Sequence, residues 1–468
     1  MLEVKLLVTA IGAAVGIAVV WLRRRLMPEG ARGPDAFTEG LERASRELGI
    51  TFGARFRRSH TAVGTIGEAT VRVELTTGST GFAAYVPRGS YEDEHLLYLV
   101  VSVEGSRIPR ALRFAAESDR GEDILTGDPV FDDVVEVHGE PSIVLALMTK
   151  ELRQKVAVFV GTGGQLEAGR LSHRARALLL QAEIPAALRM MVRLADDLSS
   201  SEGGGICERL ARNAGSDPIP AARLWNLLQL HDAFARTEEA RDVSRAALAD
   251  SSPWVRLAAA RFLGDEGLEV LEALARDRQI PDQAAVEAVA LLAARLPMDR
   301  AGPLLVDVLK SLAGDARRQA IDELGRLRYE PALTPLIVVL GRADPRTAAS
   351  AAGALGSLRD DRAEPSLLKS IDSEAHELRL AAAKALGSLG SVRSVQPLLT
   401  LLDSRRLDAA GRQCVRDAVA SIQSRLLGAE AGQLSIAAGV SESGRLSLAK
   451  PRAGAGDLSL APEDDGTR

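Results

Sequence analysis

Hydrophobic and polar positions change rhythm several times along this chain, and each rhythm predicts a different kind of structure. From Val4 to Leu22 the pattern is almost unbroken apolar, "VKLLVTAIGAAVGIAVVWL", with one charge, Lys5, at its edge. As a helix this stretch is about 28 Å long, enough to cross the hydrocarbon core of a bilayer. A cleaved signal peptide would need a basic start and a small-residue cleavage site, whereas this span ends in Trp21 and then Arg23, Arg24 and Arg25. Three arginines after the span against one lysine before it predict a single-pass anchor in a bacterial inner membrane, N-terminus out and the bulk of the chain cytoplasmic. Gly12 and Gly16 form Gly-x-x-x-Gly inside the span, the spacing at which two membrane helices approach closely. A homodimer through that face is one expectation; chance in an alanine-rich span is the other.

Beyond "PEGARGP" (Pro28 to Pro34) the rhythm becomes mixed. Apolar positions at helical spacing predict an amphipathic helix from Ala36 to Leu48. "ATVRVEL" (Ala69 to Leu75) alternates strictly, with Val71, Val73 and Leu75 on one face of a strand and Arg72 and Glu74 on the other. "TTGSTG" then reads as a turn. The continuous apolar run Leu96 to Val103 suits a buried strand, and Arg110 to Ala116 alternates again. "SIVLALMTKELRQKVAVFV" (Ser142 to Val160) begins at helical spacing and ends like a strand, and "GTGG" (Gly161 to Gly164) leads into a weaker strand, "QLEAGRL". Together these predict an α+β domain over residues 35–200, with an exit helix around Ile184 to Leu198 and a flexible joint, "SSSEGGG", after it.

From 206 to 427 the pattern turns helical and periodic. "ARRQAIDELGRL", "TAASAAGALGSL" and "LRLAAAKALGSL" end at Leu327, Leu358 and Leu389, thirty-one residues apart both times. Each is followed by a second helix for which Pro335, Pro365 and Pro397 suit the first helical position, as Pro303 does earlier. Asp315 and Asp344 stand where they would cap the next first helix. A period of about thirty residues with two short helices in each predicts a solenoid, in which every pair buries its apolar side on its neighbour. Ala352, Ala383 and Gly387 are small enough to let paired helices sit close.

The stretch "ALGSLRDDRAEPSLLKSIDSEAHELRLAAAKALGSLGSVRSVQPLLTLLDS" resembles tandem HEAT repeats of the short type named after phycobilisome bilin lyases. The likeness is clear from Asp315 to Ser404. It is weaker at "SPWVRLAAARFLGDEGLEVLEALA" and "DQAAVEAVALLAARLPMDRAGPLLVDVL", with "AARLWNLLQLHDAFARTEEARDVSRAALA" as a degenerate first repeat and "GRQCVRDAVASIQSRL" as a closing helix. It implies about six units, and it implies architecture far more than activity. The domain over 35–200 resembles no such family.

Composition narrows the classes. The chain has 468 residues, too many for one ordinary core, and a net charge of −5 that gives no push toward nucleic acid. Arg outnumbers Lys and Ala is abundant, as in proteins of GC-rich bacteria. Cys207 and Cys414 are too few and too far apart for a disulfide framework.

Candidate chemistry is sparse. The six histidines are scattered without ligand spacing, so no zinc site is expected. The likeness to HEAT-type deoxyhypusine hydroxylases implies iron held by His-Glu pairs in several repeats, but this chain has one such pair, His376–Glu377, set early in its helix. Glu122, Asp123, Asp128, Asp132 and Asp133 lack the alternating spacing of a calcium loop and read better as turn and cap residues. "GTGG" lacks the Lys-Ser/Thr of a phosphate loop. Arg256, Arg317 and Arg379 occupy one equivalent repeat position, either as a basic column or paired with neighbouring aspartates. No catalytic set, metal site or cofactor is expected, and the chain reads as a non-enzyme.

The last rhythm is in the polar tail, 428–468, too poor in apolar residues to fold alone and expected to be disordered. Gly-x-Leu-Ser-Ile/Leu-Ala starts at Gly432, Gly444 and Gly456. Leu434 and Ile436, Leu446 and Leu448, and Leu458 and Leu460 are each two residues apart, the spacing of side chains on one face of a strand. Such segments suit addition to a sheet edge, in a partner or in this chain's own α+β domain; repeat expansion in an unselected tail is the alternative. The fold expectation is therefore a transmembrane anchor with a juxtamembrane linker to residue 34, an α+β domain, an all-α HEAT-like solenoid and a disordered tail. The functional expectation is a membrane-anchored cytoplasmic scaffold or adaptor for protein partners. A bilin-lyase-like chaperone, a hydroxylase-like enzyme, or an activity in the α+β domain stands as the alternative.

Overall fold

The alternation of Val71, Val73 and Leu75 becomes the buried face of a wide antiparallel sheet. In the computed structural model, the residues described are 34–53, 61–77, 97–105, 107–116, 123–176, 180–199, 204–425, 434–436 and 446–448. The spans Val4–Leu22 with Gly12 and Gly16, and the third tail copy with Leu458 and Leu460, lie outside them. No helix among the described residues is long and apolar enough to cross a membrane.

Helix α1 (Pro34–Leu48) precedes strands β1 (Thr51–Phe52), β2 (Thr61–Ile66), β3 (Ala69–Thr77), β4 (Leu97–Glu104) and β5 (Arg113–Ala116). Then come α2 (Pro129–Asp132), β6 (Val135–His138), α3 (Pro141–Leu147), α4 (Lys150–Gly161), β7 (Gly164–Glu167), β8 (Arg170–Arg176) and α5 (Leu180–Ser199). The eight strands run in the order β1-β2-β3-β4-β8-β7-β5-β6, every pair antiparallel. The apolar run around Leu99, Val101 and Val103 is the fourth strand, flanked by β3 and β8. Phe37 and Leu41 of α1 and Ile184, Leu188 and Met191 of α5 complete the core, so the expected exit helix is a wall of this domain.

Three local expectations need correction. The apolar end of Ser142–Val160 is helix, not strand: Thr149 caps α4 by accepting from the Leu152 amide at 3.3 Å, and Val156, Phe159 and Val160 fall on one buried helical face. "QLEAGRL" is two strands rather than one, because Ala168 (φ 50°) and Gly169 (φ 79°) form a two-residue hairpin turn with both residues left-handed. Strands β1, β2 and β6 have no counterpart among the expected elements.

The helical part comprises α6 (Ile206–Ser216), α7 (Pro220–Phe234), α8 (Glu238–Ala247), α9 (Pro253–Leu263), α10 (Leu268–Arg276), α11 (Asp282–Arg295) and α12 (Met298–Ser311). It continues through α13 (Gly314–Arg326), α14 (Leu333–Arg342), α15 (Pro345–Leu358), α16 (Glu364–Ser370), α17 (His376–Leu389), α18 (Val395–Asp403) and α19 (Ala409–Arg425). The chain divides into two compact units, Met1–Ala258 and Ala259–Arg468, with the division inside α9. In the first unit, α6 to α8 pack on α3 through Leu210, Leu230 and Ala240 against Leu145 and Ala146. Asn213 donates to the Leu145 carbonyl at 2.9 Å, closing the end of α3. In the second unit α11, α13, α15, α17 and α19 stack in succession as inner helices.

Short 3-10 turns lead into α14, α16 and α18, so Pro335, Pro365 and Pro397 fall at the third, second and third residues of those helices, not at the first. They still occupy the turn whose amides have no partner to lose. Pro303 is the sixth residue of α12, inside the helix. Asp344 caps α15, accepting from the Arg346 and Thr347 amides at 3.1 Å each. Asp315 does not cap: it lies inside α13, whose start is held from the previous repeat, Asp282 accepting from the Asp315 amide at 2.7 Å and the Ala316 amide at 3.1 Å.

The tail adds one pairing. Strands β9 (Leu434–Ile436) and β10 (Leu446–Leu448) run antiparallel, with Leu434 opposite Leu448, Ser435 opposite Ser447 and Ile436 opposite Leu446. The first two hexapeptide copies thus pair with each other.

Candidate functional site: a basic groove on the inner helices

The repeated Leu-Gly-x-Leu sets the geometry of the inner layer. Leu324, Leu355 and Leu386 are fully buried. A Cβ on Gly325, Gly356 or Gly387 would lie 2.7, 2.8 or 2.9 Å from the Cα of Ala354, Ala385 or Ala418 in the next inner helix. Only glycine admits so close an approach, and Ala352 and Ala383, both fully buried, line the same seams.

The x position varies with how the preceding inner helix ends. Helix α11 ends extended at Leu296 (φ −80°, ψ 143°), and Arg326 reaches back from α13 to donate to the Ala293 carbonyl at 3.2 Å. Helix α17 ends extended at Gly390 (φ −62°, ψ 149°), and Arg425 reaches back from α19 to the carbonyls of Gly387 and, at 2.9 Å, Gly390. Arg295 does the same for the end of α9, donating to the Arg261 carbonyl at 2.7 Å. These arginines satisfy carbonyls that a helix end otherwise leaves unpaired.

Helices α13 and α15 end differently. Their chains turn left-handed at Arg328 (φ 51°) and Arg359 (φ 57°). The Tyr329 amide then returns to Leu324 O at 3.1 Å and the Arg359 amide to Leu355 O at 3.2 Å, so both helices close on themselves. No arginine reaches these two ends, and the x positions of the following helices are Ser357 and Ser388.

With two arginines replaced by serines, a groove opens over α13, α15 and α17. It has a volume of about 680 Å³ and a floor that includes Gly353, Ala354, Ser357, Ala385 and Ser388. Arg326, Arg328, Arg359 and Lys384 line it against one acid, Asp322. Arg326 is engaged, its Nε 2.6 Å from Glu323. Arg328, Arg359 and Lys384 are exposed and make no side-chain hydrogen bond or ion pair among the described residues. Their field is felt nearby: desolvation and then the like charge of Arg359 push the Arg425 guanidinium below its ordinary pKa. Desolvation raises the Asp322 carboxyl, opposed by a hydrogen bond from Ser350.

A profile of HEAT repeats matches residues 333–415, which holds the groove's α15 and α17. Those residues are HEAT repeats. No curated protein matches the chain, and nothing is recognised for the sheet-bearing region.

The remaining candidates are structural in placement. Arg256 donates to the Asp250 carbonyl at 2.8 Å and Arg379 to the Ser373 carbonyl at 2.7 Å. The column arginines at these two positions therefore hold the turn before their own helix, and their partners are backbone carbonyls rather than the expected aspartates. Arg317 forms neither contact, and its buried Nε has no hydrogen-bond partner among the described residues. His376 and Glu377 are the exposed first residues of the HEAT helix α17. In the acidic stretch, Asp128 caps α2 through the Val130 and Phe131 amides, and Asp132 accepts from the Thr126 amide at 2.9 Å and its hydroxyl at 2.7 Å. Desolvation raises the Asp132 carboxyl. No group of three His, Cys, Asp or Glu side chains able to hold a metal occurs among the described residues. Leu434, Ile436, Leu446 and Leu448 are placed by backbone pairing in β9 and β10, apart from the groove residues in sequence.

The groove itself was not among the sequence-derived candidates. Its signal was present as the change from Arg326 to Ser357 and Ser388 at one motif position, but its meaning depends on how the preceding helix ends.

Proposed function

We propose that this chain is a membrane-anchored protein scaffold whose recognition surface is the groove over α13, α15 and α17. HEAT repeats mediate protein–protein interactions, and this stack departs from its own capping pattern at two successive repeats, leaving a floor of small residues under Arg328, Arg359 and Lys384, which have no ion-pair partner among the described residues. That opening is the observation that supports the reading. In the same proposal Val4–Leu22 anchors the chain from the inner membrane, Arg23 to Arg25 keep the repeats in the cytoplasm, and Gly12 and Gly16 offer a dimer face. The hexapeptide copies, through Leu434, Ile436, Leu446, Leu448, Leu458 and Leu460, add a second docking element by strand pairing. Binding rather than catalysis is the proposed role.

The test is a photo-crosslinking residue placed at Ser357 or Ser388 of the full chain in its native cells, with Thr400 on an outer helix as the control position. A discrete partner polypeptide crosslinked from the groove positions and not from Thr400 supports the reading. Crosslinks that are equal at all three positions contradict it. A reporter fused at the C-terminus checks the anchor: activity on the periplasmic side overturns the orientation.

A further inference from the structure

We propose that the groove takes an extended, acidic segment of a partner polypeptide, with side-chain carboxylates meeting Arg328, Arg359 and Lys384. This rests on the groove being the recognition surface and names what that surface recognises.

The strongest observation is the backbone at Arg328 and Arg359. Both residues sit in the left-handed region, thirty-one residues apart, at the position after a helix where glycine is the low-strain choice. The third Leu-Gly-x-Leu is followed by glycine, Gly390, in an extended conformation, so the strain is confined to the two repeats that wall the groove. Strain retained with a long charged side chain, which makes no hydrogen bond or ion pair among the described residues, marks a side chain held for something outside the fold. Two successive repeats present it to the same cavity.

The cavity limits the ligand's shape. A volume of about 680 Å³ is far larger than an inorganic anion, and Gly353, Ala354 and Ala385 leave a low floor over which a main chain can pass. Ser388 offers a hydroxyl to the groove, and the Ser357 hydroxyl, which donates to the Gly353 carbonyl at 3.1 Å, keeps its acceptor side for a peptide N–H. The charge pattern limits the ligand's chemistry. Three separate cations match separate carboxylates, by charge-assisted hydrogen bonds. Three spaced cations beside one acid, Asp322, match a few spaced carboxylates better than the continuous charge of a phosphate polymer.

The experiment is fluorescence anisotropy with the full chain in nanodiscs, using a labelled twelve-residue Glu-Ser peptide and its Gln-Ser counterpart. The Glu peptide should bind at least tenfold more tightly, and Arg359→Glu or Lys384→Glu should remove that preference without lowering the melting temperature. Equal binding of the two peptides overturns the proposal, as does Glu-peptide binding that the charge reversals leave intact. Inorganic polyphosphate or single-stranded DNA competing more strongly than the Glu peptide would replace the carboxylate partner by a phosphate polymer. A tenfold gain in affinity on removing Gly432 to Arg468 would replace it by this chain's own tail. Groove crosslinks at Ser357 together with no peptide preference would leave the scaffold standing and remove only this inference.

Discussion

Arg153 and Asp217, 64 residues apart in sequence, meet as a two-point ion pair with Nη1–Oδ2 3.0 Å and Nη2–Oδ1 3.2 Å. Both side chains are withdrawn from water, and Arg153 also binds Asp128 through Nε at 3.0 Å and the Met148 carbonyl at 2.7 Å. The pattern continues through Arg223, which donates to the Asp217 carbonyl at 2.8 Å and pairs with Asp250 at 2.7 Å. Alternating charges thus tie the sheet-bearing part of the first unit to helices α6 to α8.

Such a pair is costly to break from one side, because the surviving charge stays buried. Arg153→Ala should destabilise the protein by about 3–5 kcal/mol. Asp217→Asn combined with Arg153→Met should cost less than the two single changes summed, by about 0.5–3 kcal/mol of coupling. Denaturant melts of the four variants check this; strict additivity would show that the pair does not act as a unit.

The glycine seam gives a paired prediction within one helix. Gly356→Ala puts a Cβ 2.8 Å from the Ala385 Cα, backbone that cannot step aside alone, and should cost about 1–3 kcal/mol. Gly353→Ala, three residues away in α15 with nothing within 4 Å, should instead stabilise by about 0.5–1 kcal/mol through helix propensity. Thermal melts that order these two variants the other way would mean the repeat register is misassigned.

What could be read from the chain beforehand divides along physical lines. Leu355, Gly356 and Leu358 recur at a fixed period because each repeat buries its neighbour in the same way, so the solenoid was legible. The strand at Ala69 was legible because one face is buried and the other wet. Val156 to Val160 suits a strand by its β-branched content, and the cap at Thr149 decides for helix. Asp315 stands where it would cap its own helix, yet a carboxylate from the preceding repeat, Asp282, holds that end. The groove stayed hidden for the same reason: whether Ser357 leaves a gap depends on the left-handed turn at Arg328, which sequence patterning does not encode.

Acid should weaken the first unit. His173 is buried in the sheet, and desolvation pushes its pKa down against a hydrogen bond to the Thr162 backbone; burial does the same to His231, which contacts Ser244 at 2.6 Å. Below about pH 6.5 the unfolded chain takes up protons that these folded histidines refuse. Their depressed pKa values therefore give stability that is full above that pH and is lost as pH falls. Melting temperatures should decline from pH 7 to pH 5, and His173→Leu should flatten part of that decline. A melting temperature that rises on acidification, or a slope unchanged in His173→Leu, would contradict this assignment.

On the proposed reading, Arg328 and Arg359 are kept for recognition at some expense to the fold. The double change Arg328→Gly and Arg359→Gly separates the two, because glycine relieves the left-handed backbone, by about 1–2 kcal/mol per residue, while removing the cations. The measurement is made on the full chain carrying the photo-crosslinker at Ser357, reading melting temperature and partner crosslinking together. A melting temperature that holds or rises while crosslinking is lost is the predicted result. Crosslinking at the original level in a protein of equal or greater stability would contradict the claim.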